Sequence, residues 1–503
     1  MPNVQFQRAE VTAAATKWNL IADCLAGQDA IKAHDLALLE GDDDTRYLPK
    51  PNPDDLTERN VTRYEQYIQR AVWYNVTART HSGLVGQVFQ REPVLELPPL
   101  LETLRTDCDG AGVGLLSQAK RALGNVLAYG RSGLLTDYPK TDKPATKAEL
   151  DAGKIRPTVI LYDPWSIINW KTVVVGAKRV LALVVLAESH ATDKDAFEET
   201  VEDQWRVLSL DENGLYRVGL WRKGGESNAS VVEAEAFVPL DARGAPLREI
   251  PFQFLGAVNN DVEVDEPPIY DLATLNLAHY RNSADYEESC YIVGQPTPVI
   301  TGLTQAWKDK NFKNGIAFGS RGGIALPEGG DAKLLQAAPN TMPREAMEAK
   351  ERQMVALGAK LVEQRQVQRT ATEAKQEYAT EISVIGACAQ NVSQAYERAL
   401  AWAGAFVGTE EPSVLTLSSG FDLDTMTPEE VTAVVAAWQG DAISTTEMRD
   451  KLKAGGVATQ DDEAYKEEVA SKPRSGLGAL AARGFAPEQA PNDVVDEEAP
   501  EQA

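Results

Sequence analysis

The residues of this chain with the chemistry for metal binding, nucleophilic attack or proton transfer are few and scattered. His34, His81, His190 and His279 stand far apart. None belongs to a His-Glu-x-x-His or His-x-His arrangement, the spacing that would bring two imidazoles to one metal. Cys24, Cys108, Cys290 and Cys388 contain no Cys-x-x-Cys pair. Neither a zinc site nor a disulfide framework is indicated, and buried, reduced thiols in a cytoplasmic protein are expected. Asp42-Asp43-Asp44 offers oxygen ligands for a hard cation, but a solvated loop is the plainer reading. Asp109-Gly110-Ala111-Gly112-Val113-Gly114 has the look of a phosphate loop. Its Gly-x-Gly-x-Gly spacing lacks the later glycine of the dinucleotide fingerprint, and Leu101-Glu102-Thr103-Leu104-Arg105 before it reads as helix, not strand. A flexible loop opening a helix is therefore expected. There is no Gly-x-Ser-x-Gly elbow and no Gly-x-x-x-x-Gly-Lys-Ser/Thr loop. Carboxylates are too abundant for any pair to be singled out. The expectation is a protein without catalytic, cofactor or metal residues. An enzyme with a dispersed active site is the competing class, since such sites carry no local signature.

The elements that would position any site follow from size, charge and periodicity. At 503 residues the chain exceeds one ordinary core and has length for two or three domains. Its formal net charge of -25 argues against a basic, sequence-reading grip on nucleic acid. The same charge is compatible with a conduit that must let DNA slide and equally with an ordinary acidic soluble protein, and charge alone does not separate the two. The most apolar run, Val180 to Ala187, fits a buried strand and falls far short of a membrane span. Met1 to Arg8 lacks the basic and apolar regions of a secretory signal.

Residues 4 to about 40 read as helix, ending at Gly41. Proline-punctuated residues 47 to 53 form a loop. A second helix is expected from about Leu56, continuing through Thr77 to Phe89, and a third from Leu115 to Tyr129. From Gly133 to Leu255 the pattern turns to strands: Thr158 to Tyr162, Val180 to Leu186, Trp205 to Leu208 and Tyr216 to Trp221. Asn213-Gly214 marks a hairpin between the last two. Helix returns at Ile269 to Tyr291, followed by a glycine-rich piece holding small strands. Residues 343 to about 406 read as helix, broken near Gly358 or near Gln366 to Ala371. Met347, Met354 and Leu361 repeat at seven along it, with Val355 and Val362 beside them in one apolar stripe. Thr427-Pro428-Glu429-Glu430 opens a short helix stopped by Gly440, and Ser444-Thr445-Thr446-Glu447 is a capping box for another. Acidic residues on that second helix argue against DNA readout. From Pro487 the tail carries one sign of charge and should not pack.

Four segments, in order, carry a resemblance. The first is Tyr64-x-x-Tyr67-x-x-Arg70-Ala71-x-x-Tyr74-Asn75-x-Thr77-x-x-Thr80-x-x-Gly83-Leu84-Val85-Gly86-x-Val88-Phe89, followed by Pro93. The second runs from Asp107-Cys108-Asp109-Gly110 to Gly130-Arg131-Ser132-Gly133-Leu134-Leu135-Thr136-Asp137-Tyr138-Pro139. The third is Arg369-Thr370-Ala371-Thr372-Glu373-Ala374. The fourth joins Met426-Thr427-Pro428-Glu429-Glu430 to Gly440-Asp441-Ala442-Ile443-Ser444 and Arg449-x-x-Leu452-x-x-x-Gly456. Together, over roughly residues 45 to 465, the chain resembles the portal proteins of tailed bacteriophages.

The resemblance implies an α+β, mainly helical fold with wing, stem, clip and crown. Residues 1–265 would be the wing, with the β-rich module at about 133–255. Residues 266–292 and 341–364 would be paired stem helices, and 293–340 the clip. Residues 365–371 would be a channel loop, 372–410 a spine helix, 411–485 a helical crown and 486–503 a disordered acidic tail. It also implies a dodecameric ring at one capsid vertex of the virion, assembled in the host cytoplasm, through which double-stranded DNA is packaged and ejected without sequence readout. Partners would be the major capsid protein, the terminase large subunit and a head-tail adaptor, with no membrane. Arg365 and Arg369 would face DNA in the channel, and Lys308, Lys310, Lys313 and Arg321 would form a basic patch in the clip. Against these stand a solvated patch and ion pairs along a helix. Another head-tail connector or minor head protein is the nearest competing identity.

Overall fold

The computed structural model describes residues 3–39, 45–140, 155–193, 197–224, 230–241, 243–295, 297–311, 326–335, 340–361, 383–419, 428–440 and 442–454. The chain divides into two compact units, Met1–Phe421 and Asp422–Ala503.

The single helix expected over residues 4 to 40 is two, α1 (Ala9–Ala26) and α2 (Gln28–Ala37). Between them Gly27 takes a φ of 96°, a left-handed value that L side chains resist. The helix expected from Leu56 to Phe89 is also two, α3 (Glu58–Arg70) and α4 (Val76–Val88). The interruption includes Val72, Trp73 and Tyr74, which are poor helix formers. Its backbone is satisfied from far along the chain: Val72 N–H donates to Ser283 Oγ at 3.1 Å, and Asn276 Nδ2 donates to Tyr74 O at 2.9 Å. After β1 (Val94–Glu96) and a tight helical turn at Pro99–Arg105, α5 (Leu115–Tyr129) has its expected bounds and ends at Gly130, φ 70°.

The expected β module is two antiparallel sheets. β2 (Arg131–Asp137) lies between β3 (Thr158–Tyr162) and β9 (Phe252–Gly256). The other sheet is a meander: β4 (Ile167–Val175), β5 (Lys178–Asp193), β6 (Glu199–Leu210), β7 (Tyr216–Gly224) and β8 (Ser230–Phe237). Asn213-Gly214 sits in the β6–β7 turn, where the Asp211 carboxylate accepts from the N–H groups of Asn213 and Leu215 at 2.8 Å each.

The chain then runs through α6 (Tyr270–Gly294), β10 (Thr297–Thr301), α7 (Gln305–Asn311), β11 (Asp331–Leu335) and α8 (Met342–Lys360). β10 and β11 pair antiparallel, and α6 packs along α8. Met354 is buried as the heptad stripe requires, but Val355 beside it is 73% exposed. The apolar seam on α8 is therefore narrower than expected. α9 (Val384–Val407) is buried along most of its length against α5, β2 and β9, and β12 (Val414–Thr416) pairs with β1.

Three clusters make up the core of this unit. One joins Leu123, Val126 and Leu134 to Val392, Tyr396 and Leu400. A second seats Ala273, Leu277 and Tyr280 of α6 against Ile21, Tyr64 and Ile68. The third lies between the sheets and holds Trp18, Trp170, Leu186, Leu208, Phe252 and Phe254. The whole is α+β with helix in excess of strand.

In the second unit α10 (Pro428–Gln439) and α11 (Thr445–Ala454) match the expected short helices. The capping box closes both ways: Glu447 N–H donates to Ser444 Oγ at 3.1 Å, and Ser444 N–H donates to Glu447 Oε2 at 2.8 Å.

Candidate functional site

Helix α6 is fixed to the α3–α4 region by polar contacts that the sequence gives no sign of. Asn276 accepts through Oδ1 from Thr77 N at 3.1 Å and Thr77 Oγ1 at 2.9 Å. Tyr67 OH donates to Asp285 at 2.5 Å, and Arg70 pairs with Glu288. Toward α8, His279 Nε2 lies 3.3 Å from Glu351 Oε1, and Lys350 reaches Asn282. His279 is 2% exposed, and burial holds its pKa below the ordinary imidazole value despite that carboxylate. Arg70 Nε, Trp73 Nε1, Asn75 Oδ1, His279 Nδ1 and Tyr280 OH are buried without a hydrogen-bond partner among the described residues. Each such group costs about 1–3 kcal/mol. The junction is thus held less firmly than its bonds alone imply.

The turn that launches α6 rests on a buried cation. Arg131, 1% exposed, stacks on Trp170 and Phe254 with its guanidinium carbon 4.4 and 4.3 Å from the ring centroids. Nη1 donates to Val262 O at 3.3 Å and Glu263 O at 2.5 Å. Burial pulls its pKa down to about 9, while Asp265 and Asp261 work in the other direction. Above the same indole sits Arg8, 4.6 Å from the centroid, donating to Trp170 O at 3.0 Å. Arg8, Lys17, Arg179, Glu10, Glu263 and Glu266 help line a cleft of about 580 Å³ here. With cations and carboxylates interleaved, it presents no single sign of charge to a ligand.

Of the six expected site residues, Lys308 and Lys310 are described. Both are exposed on the short helix α7, with Asp309 between them. Lys313, Arg321, Arg365 and Arg369 lie outside the described residues, as do Asp42-Asp43-Asp44 and the tail. The glycine-rich loop before α5 is a loop held by its own aspartates: Asp107 accepts from Gly110 N at 2.8 Å and Gly112 N at 3.0 Å. Those N–H groups are thereby turned inward. Among the described residues no three His, Cys, Asp or Glu side chains converge as metal ligands, and no helix is long and apolar enough to cross a membrane.

Residues 268–407, α6 through α9, match a family model described as a domain of unknown function (DUF4055). No curated protein matches the chain. Similar solved chains come from gene transfer agent particles. One is from the virion of the native particle, at 15% identity and TM-score 0.37, covering 76% of this chain and 90% of that one. Another is from the native neck computed with C12 symmetry, at 14% and 0.36, covering 76% and 90%. A third is from the empty-particle neck computed with C6 symmetry, at 14% and 0.38, covering 78% and 93%.

The structural residues that sequence reasoning missed are Arg131, Asn276 and His279. Arg131 falls inside the second resemblance segment but carries no local sign of burial. One signal was available: Gly130 before it stands at a helix stop, so the arginine begins a strand that must enter the core.

Proposed function

We propose that this chain is a portal-type head protein of a tailed phage, a ring-forming conduit for double-stranded DNA and not an enzyme. The observation that carries the reading is the α6–α8 pair. Two long helices pack side by side, and the residues between them include the small sheet β10–β11 and the exposed lysines of α7. That is the helix, clip, helix order implied by the four sequence segments. In this reading α6 and α8 form the stem, β10 to β11 the clip, and Arg365 and Arg369 a loop at the channel wall. Lys308 and Lys310, with Lys313 and Arg321, are the clip's phosphate-facing patch. The capsid shell, the terminase large subunit and a head-tail adaptor dock on the ring's outer surfaces.

Charge supports the same role. Copies of a -25 chain arranged around a bore repel phosphate, which keeps DNA centred and mobile, and a few arginines then give a weak, salt-sensitive hold. The test is negative-stain imaging of the purified chain with mass photometry. Closed rings with one central channel are expected. Monomers and dimers alone, across concentration and salt, overturn the reading.

A further inference from the structure

The five-stranded sheet has two ends of opposite character. At one end the β4–β5 hairpin turns tightly through Gly176, φ 63°. From Lys171 to Arg179 it carries three cations and no carboxylate. Lys171, Lys178 and Arg179 are exposed and have no ion-pair partner among the described residues. Val173, Val174 and Val175 are exposed there at 43%, 66% and 60%. Arg8 covers the outer edge of β4 only at its start, donating its N–H to Ile168 O and its side chain to Trp170 O. From Lys171 onward no described residue pairs with that edge.

At the other end β5 and β6 run past the strands beside them. β4 ends its pairing at Leu186 and β7 at Gln204, while β5 and β6 stay paired out to Asp193 and Glu199. From Phe197 to Gln204 the sequence of the arm carries carboxylates and no cation. Asp203 at its base is paired with Lys223 at 2.7 Å, which leaves Glu198 and Glu202, among the described side chains, as the acidic residues towards its end. Phe197 is fully exposed and Val201 is 64% exposed. Exposed valines on an open strand edge are a liability that proteins cover. Within one copy the two ends cannot cover each other. The two ends are held apart by β5 itself, whose 16 residues span about 50 Å at roughly 3.3 Å per residue.

We propose that the basic, valine-bearing β4–β5 tip of one copy docks on the acidic β5–β6 arm of the next. The inference rests on the ring reading and gives it a contact surface. Opposite charges face each other, the exposed valines meet Val201 and Phe197, and each copy offers one tip and one arm. Such a contact is heterologous, and repeated with a rotation that closes on itself it makes a ring, the arrangement the ring reading requires.

The test uses the full chain. A tip-reversed variant carries Lys171→Glu, Lys178→Glu and Arg179→Glu, and an arm-reversed variant carries Glu198→Lys and Glu202→Lys. Each alone should lose most of its rings in mass photometry at unchanged melting midpoint. An equimolar mixture should regain them, because each variant's reversed end meets the other's complement. All five changes in one chain should also restore rings. Rings from the tip-reversed variant at wild-type abundance overturn the inference and leave the ring reading standing. So do rings that persist while binding of a short DNA duplex is lost, which would make the tip a phosphate contact. A wild-type chain that never forms rings overturns both.

Discussion

Arg131 shows how one buried residue can anchor the segment that leads into a long helix. Its guanidinium satisfies two carbonyls of the turn before α6, while two of its nitrogens have no partner among the described residues. Arg131→Ala removes those bonds and leaves a cavity between Trp170 and Phe254, at an expected cost of about 3–5 kcal/mol in urea unfolding. Arg131→Met refills much of the space and removes the buried charge, so it should cost less than half as much. Equal losses would mean that the charge itself is required. His279 gives a pH signature with a definite sign. Burial lowers its pKa in the folded chain, so near the ordinary value of about 6.5 the unfolded state binds more protons. Its contribution is therefore present above that value and lost as pH falls. His81, whose pKa burial also lowers, acts in the same direction. Asp35, pushed up to about 6 by burial, acts oppositely at lower pH. Between about pH 7.5 and 6, His279→Gln should flatten the decline in melting midpoint. A decline as steep as the wild type's would remove His279 from the account.

At the level of elements, tight backbone crossings carry the same junction. A Cβ on Gly256 would lie 2.1 Å from Asn259 O and 2.5 Å from Asp265 Oδ2. Backbone must move to admit it, so Gly256→Ala should cost about 1–3 kcal/mol by denaturant midpoint. A midpoint within error of the wild type would show that the turn yields freely. Elements set by neighbouring residues were legible in the sequence: α5 with its stop at Gly130, the Asn213-Gly214 turn, and the Ser444–Glu447 capping box. The breaks at Gly27 and at 71–75 were not. A lone glycine is tolerated inside a helical pattern, and the second break depends on Asn276 and Ser283, some 200 positions away, as its backbone partners. For the same reason the candidate stem was legible as two helices, while what fastens it was not. Arg131, Asn276 and His279 gain their roles only from tertiary burial.

For the whole molecule, the proposed ring would have to balance like-charge repulsion between copies against local attraction. Deleting Pro487 to Ala503 removes six carboxylates and no cation, taking the formal charge from -25 to -19. Rings should persist and form at lower ionic strength than the full chain requires, because screening has less repulsion to offset. Loss of rings on truncation would give the tail a structural part in assembly. The arginine pair gives the sharper prediction. Arg365 and Arg369 sit in Gln364-Arg365-Gln366-Val367-Gln368-Arg369-Thr370, a stretch with weaker helix propensity than its alanine- and glutamate-rich flanks. If the chain loops into the bore here, these are cations on an otherwise repelling wall, and their contacts with phosphate are brief and salt-dependent. Replacing both with glutamine leaves the tip and arm of the sheet untouched, so rings should form as in the wild type. DNA packaged or retained per head should fall, and the fall should shrink as salt rises. Unchanged packaging in rings of normal abundance would take these two residues out of the channel.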